Sequence, residues 1–106
     1  MKPLPYTQHD VSDDDIDAVI AVLRGNWLTT GPAIERFETA LADATGAQHV
    51  VACSSGTAAL HLTMLAAEIG SNCSVVVPTL TFLATANCAR FAGAEVIFAD
   101  VDPKPA

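Results

Sequence analysis

"SVVVPTLTFLATANCARFAGAEVIFADVD" spans residues 74–102, and its reading decides the fold. It opens on a β-branched apolar run, 74–78. A threonine-rich turn follows, then a helical segment, 81–93, that ends in glycine. A second apolar run, 94–102, completes it. Strand, helix and strand in that order make a βαβ unit, and such units build parallel sheets.

The pattern extends upstream. "HVVACS" (49–54) is a short β-branched run, and "GTAALHLTMLAAEIG" (56–70) reads as a helix with Leu60, Met64, Leu65 and Ala67 inward. Together these predict a βαβαβ arrangement with three parallel strands. The strands are continuous hydrophobic runs, which predicts cover on both faces. Three strands leave two open edges, and "VDPKPA" follows the last one directly. The expectation is the opening part of a larger α/β protein.

Two helices precede this unit. In "VSDDDIDAVIAVLRG", Ser12 is placed to cap and Asp13, Asp14 and Asp15 fill the first turn, where the helix dipole favours them. Ile16, Val19, Ile20 and Leu23 form an apolar face, and Gly25 ends the segment. In "NWLTTGPAIERFETALADATG", Pro32 suits the first helical position. Ile34, Phe37, Ala40, Leu41 and Ala44 make the expected buried face, and Gly46 stops the helix.

Of the 106 residues 51% are hydrophobic, a composition that builds a core. The net charge is −7 and the few cations are scattered, which disfavours nucleic acid as a partner. Three cysteines without ligand spacing suggest reduced thiols and a cytoplasmic location. "MKPLPYTQHD" lacks the apolar core of a signal peptide, and no apolar run is long enough for a membrane span. The histidines His9, His49 and His61 form no pair with metal-ligand spacing, so no metal site is expected.

Ligands of parallel α/β sheets bind beyond the carboxyl ends of the strands. Three segments leave such ends: "CSSGTAA", "VPTLTFLATAN" and "ADVDP". In the first, Gly56 permits close backbone approach. The N–H groups of Thr57, Ala58 and Ala59, with the hydroxyls of Ser55 and Thr57, could cradle a phosphate at a helix start. The same residues also make an ordinary Ser/Gly helix cap. Neither a GxGxxG fingerprint nor a GK[ST] phosphate loop is present. Phe82, just past a strand, can stack on a flat ring or sit in the core. Cys53 is either a thiol at a helix N-terminus or a buried strand-end cysteine. Asp100 is read as capping the turn after its strand.

In combination, "GNWLTTGPAIERFETALADATGAQHVVACSSGTAALHL" and "VVVPTLTFLATANCARFAGAEVIFADVDP" resemble the start of the DegT/DnrJ/EryC1/StrS family of pyridoxal-phosphate-dependent nucleotide-sugar aminotransferases. The resemblance runs from about Pro5 to Pro103. "LPYTQHDVSDDDIDAVIAVLRGNWLTTGP" is most similar to the branch that aminates a 4-keto sugar in pseudaminic acid biosynthesis. It implies the N-terminal part of a fold-type I aminotransferase large domain, incomplete in 1–106. Within it, 1–46 would hold the leading helices and substrate loop, and 47–106 the βαβαβ unit. Gly56, Thr57 and Ala58 match the phosphate-binding turn. Phe82 matches the aromatic over the pyridine ring. Thr29, Thr30 and Gly31 match the loop lining the nucleotide-sugar entrance. Asn87 matches a helix position near the site.

The family's cofactor-bearing lysine and the carboxylate that pairs with the pyridine nitrogen find no counterpart here. Lys2 and Lys104 stand in the wrong context, and no "DAA" segment occurs. The resemblance therefore implies no catalytic residue in this stretch, which alone should not transaminate. It implies a complete enzyme using pyridoxal 5'-phosphate, an amino-acid donor such as glutamate and a 4-keto sugar on UDP, with a homodimer as the expected assembly. Two rivals remain: a stand-alone module that binds a phosphate ligand or pairs with a second polypeptide, and a relic with no function of its own.

Overall fold

The computed structural model describes residues 7–102. Pro5 and Pro103, the limits of the resemblance, and both lysines lie outside that range. The chain forms two compact units, Met1–Ala52 and Cys53–Ala106.

The first unit carries α1 (Asp13–Leu23) and α2 (Pro32–Thr45). Ser12 caps α1 as its residue type predicts, in a reciprocal box. The Asp15 N–H donates to Ser12 Oγ at 3.3 Å, and the Ser12 N–H donates to Asp15 Oδ2 at 2.8 Å. The Ser12 hydroxyl donates to the same oxygen, and these bonds hold the Asp15 carboxyl below its ordinary pKa. Pro32 opens α2, and Gly46 ends it at φ 73° with its N–H on Ala42 O.

The expected buried face of α2 is not buried: Ile34, Phe37 and Leu41 are all exposed. Ile16, Val19 and Leu23 of α1 are exposed too. Periodicity places apolar residues on one stripe, but only a packed neighbour removes the stripe from water.

The second unit holds α3 (Gly56–Ala66), β1 (Ser74–Pro78), α4 (Ala84–Phe91) and β2 (Glu95–Ala99). The strands pair in parallel, Ser74 opposite Glu95 through Pro78 opposite Ala99. Ser74 Oγ donates to Glu95 Oε2 at 2.8 Å at one end of the pair. The Thr79 N–H continues the ladder to Ala99 O at 3.1 Å at the other. Helix α4 packs on the sheet through small residues. Ala84, Cys88 and Ala89 are buried, together with Val77 of β1 and Ala94. Val76 points the other way and is exposed. The described residues thus cover one face of strands whose composition predicts cover on both.

The sheet has two strands rather than the expected three. Residues 49–54 form no ladder, and the Ala52 N–H goes to Glu38 Oε1 at 2.7 Å instead. A β-branched run becomes a strand only where another backbone offers hydrogen bonds, and no described segment does so here. Helix α3 is also shorter than predicted. It stops at Ala66 because Glu68 takes φ 56°, with its N–H on Leu65 O and that of Ile69 on Met64 O. This is the Schellman arrangement with glutamate where glycine is usual. The same motif ends α4 with Gly93 at φ 86°. The packed side of α3 runs through Thr57, Ala58, His61 and Met64, whereas Leu60 and Leu65 are exposed. His61 meets Phe91 edge-on, ring centroids 5.7 Å apart.

Candidate functional site

Gly56, Thr57 and Ala58 form the first turn of α3. Ser55 is the N-cap, and its Oγ accepts the Ala58 N–H at 3.1 Å. The Ala59 N–H donates to Ser55 O at 3.0 Å. Two of the three N–H groups expected to be free are therefore engaged. Among the described residues, the N–H groups of Gly56 and Thr57 have no hydrogen-bond partner, and these are the donors the turn offers.

Gly56 is not in a left-handed conformation. A Cβ built on it would meet nothing within 4 Å. Its missing side chain leaves open space beside two unpaired N–H groups, donors of the kind that helix starts offer to anions. Thr57 adds a hydroxyl to the same turn. Cys53 is exposed and is not on a strand, contrary to the buried reading. Its Sγ donates to Ser55 O at 3.4 Å and helps to hold the turn.

Phe82 lies between β1 and α4, 77% exposed, and makes no ring contact among the described residues. It is not a core phenylalanine of this unit, and its faces are open to a flat ring. Thr81 and Thr85 share a hydroxyl hydrogen bond of 2.9 Å around it. Asp100 accepts the Val101 N–H at 2.9 Å and the Thr79 hydroxyl at 3.4 Å, the capping role its position suggests. Asn87 sits within α4, half-buried. Among the described residues no cluster of His, Cys, Asp and Glu could hold a metal ion. No helix there is long and apolar enough to cross a membrane.

In the first unit, Thr29, Thr30 and Gly31 form the loop between α1 and α2. Thr30 has φ 47°, a strained value for a β-branched residue. Gly31 caps α2 in an extended conformation and accepts the Ile34 N–H at 3.2 Å. Trp27, which sequence reasoning passes over, stands against Gly31. It also lines a cavity of about 300 Å³ with Ala18, Val22, Ala33 and Arg36.

Residues 9–106 match the model of the DegT/DnrJ/EryC1/StrS aminotransferase family. The chain belongs to this family. The UDP-4-amino-4-deoxy-L-arabinose–oxoglutarate aminotransferase of Shewanella sediminis (strain HAW-EB3) is 41% identical over 99 residues. The match covers 93% of this chain and 26% of that protein, so the chain spans about a quarter of its relative's length. The PLP form of Spr1654 from Streptococcus pneumoniae, assigned as a sugar aminotransferase, superposes with a TM-score of 0.86 at 30% identity. That match takes in 96% of this chain and 26% of the other. A DegT/DnrJ/EryC1/StrS aminotransferase from Brucella abortus gives a TM-score of 0.67 at 41% identity, over 83% of this chain and 23% of that one. The fold is therefore that of a sugar-aminotransferase α/β segment.

Proposed function

We propose that the protein containing these residues is a pyridoxal-phosphate-dependent transaminase that moves an amino group from glutamate to a 4-keto sugar carried on UDP. Family membership over residues 9–106 is the observation that carries this reading. The Shewanella relative supports the finer choices, because its name pairs a UDP-linked 4-amino sugar with oxoglutarate, the keto acid of glutamate. The opening segment favours a 4-keto-6-deoxy hexosamine, as in pseudaminic acid biosynthesis, as the acceptor.

In this reading Gly56 and Thr57 hold the cofactor phosphate through their unpaired N–H groups and the Thr57 hydroxyl, and Ala58 completes the turn with a small side chain. Ser55 keeps the helix start in shape by capping Ala58. Phe82 stacks on the pyridine ring. Thr29, Thr30 and Gly31 line the way in for the nucleotide sugar. Pyridoxal phosphate supplies the electron sink that amino transfer requires. The groups that carry the proton and anchor the cofactor covalently belong to other parts of the complete enzyme, which acts as a homodimer in the cytoplasm.

The test is glutamate-dependent amination of a UDP-4-keto-6-deoxy hexosamine by the full-length protein. Amination that requires added pyridoxal phosphate, and that weakens when Thr57→Ala raises the cofactor dissociation constant about tenfold, is the expected result. Cofactor binding indifferent to both Thr57→Ala and Gly56→Ala would remove the phosphate role from this turn. A UDP-linked pentose aminated in preference to the hexosamine would move the substrate toward the sugar named for the Shewanella relative.

A further inference from the structure

Gly31 presents a small puzzle in the first unit. Its φ of −91° and ψ of 177° are extended values that any residue adopts, so backbone freedom does not explain a glycine here. Space does. A Cβ on Gly31 would lie 2.6 Å from Trp27 Cβ and 3.4 Å from Trp27 Cγ. The first of these atoms is tied to the Trp27 backbone and cannot swing aside as the tip of a long side chain would.

The contact closes a short loop on itself. At its start, the Gly25 N–H is bonded to Val22 O of α1 at 3.0 Å. At its end, Gly31 O accepts the Ile34 N–H and Pro32 begins α2. Between the touching residues, Thr30 is held at φ 47°. Strain of that kind persists where surrounding contacts over-determine the backbone, and the close approach of Trp27 to Gly31 spans it. Trp27 also shares the lining of a cavity with Ala18 and Val22 of α1 and Ala33 of α2, while remaining 62% exposed.

We propose that Trp27 is a positioning residue for the nucleotide sugar: wedged on Gly31, it holds Thr29, Thr30 and Gly31 in the conformation that meets the ligand. This rests on the reading of that loop as the nucleotide-sugar entrance. Trp27 itself need not touch the ligand. Its role follows from the backbone it supports, and the absence of a side chain at Gly31 makes room for Trp27 rather than for the ligand.

The test is a mutant cycle on the full-length, cofactor-loaded protein, with UDP binding measured by calorimetry and amination kinetics measured alongside. In wild type, Gly31→Ala should weaken UDP binding at least tenfold and raise KM for the nucleotide sugar with kcat changed less than threefold. In a Trp27→Gly background, where the opposing Cβ is gone, the same Gly31→Ala change should cost less than twofold. Trp27→Phe, which keeps the atoms facing Gly31, should bind UDP within threefold of wild type; this variant remains readable if Gly31→Ala misfolds. Equal losses from Gly31→Ala in both backgrounds, or a Trp27→Phe loss as large as that of Trp27→Gly, would overturn the wedge while leaving the entrance reading intact. Wild-type protein that does not bind UDP at all would overturn the entrance reading, and the positioning role with it.

Discussion

The loop before α2 and the turn before α3 each place a glycine among threonines, alanines and a hydroxyl-bearing neighbour, yet the two glycines do opposite things. At Gly31 the missing Cβ is filled by the chain itself, with Trp27 Cβ 2.6 Å from where that atom would sit. At Gly56 the missing Cβ faces open space, with nothing within 4 Å. Neither needs a left-handed backbone; in the loop, that conformation falls on Thr30 instead. A glycine inside a site motif can therefore report either an internal contact or room kept for a ligand, and only the neighbouring atoms tell which.

The contrast can be broken most directly at Gly31. Gly31→Ala should destabilise the protein by about 1–3 kcal/mol through overpacking against Trp27, seen as a lower midpoint in urea unfolding. An unchanged midpoint would mean the loop yields as freely as the turn. Thr30→Gly should act in the opposite direction. Relief of the left-handed strain should raise stability by about 1 kcal/mol in the same experiment, offset in part by the greater freedom of glycine when unfolded.

In the turn, Ser55→Ala removes the acceptor of the Ala58 N–H and should cost about 1 kcal/mol. Gly56→Ala should change stability by no more than about 0.5 kcal/mol, because the new methyl meets no protein atom. Its effect should appear as weaker cofactor binding in a pyridoxal phosphate titration. A large loss of stability at Gly56 would erase the distinction between the two glycines.

The smallest effect concerns the cap of α1, which leads into the loop. The Asp15 carboxyl is held below its ordinary pKa by bonds from the Ser12 N–H and hydroxyl. A lowered folded pKa means this contribution is complete above the ordinary carboxylate value. It is lost as pH falls through the lowered one. Asp15→Asn should flatten that part of the acid-unfolding curve, and an identical curve for the variant would dismiss the bond as inconsequential.

Local signals were legible wherever both partners lie within a few residues. Ser12 and Asp15 are three residues apart, Pro32 stands at the helix start it prefers, and Gly46 and Gly93 stop helices at positive φ. The end of α3 was not legible, because Glu68 performs a turn usually marked by glycine. The turn at 55–58 could be picked out as a phosphate cradle, but which N–H groups it leaves unpaired depends on the Ser55 rotamer. Trp27 carried a readable clue of its own, the "GNW…TTGP" setting, but its partner Gly31 becomes visible only once the loop closes.

By itself the sequence determined the βαβ order of the second unit, the caps of α1 and α2, and the family, because these depend on nearest neighbours along the chain and on motif spacing. Tertiary structure alone decided that 49–54 forms no strand and that His61 rather than Leu60 packs inward. It also decided that Gly31 answers to Trp27 while Gly56 answers to empty space. Ladder pairing, burial and steric fit each require a second surface, and a one-dimensional pattern does not say where that surface lies.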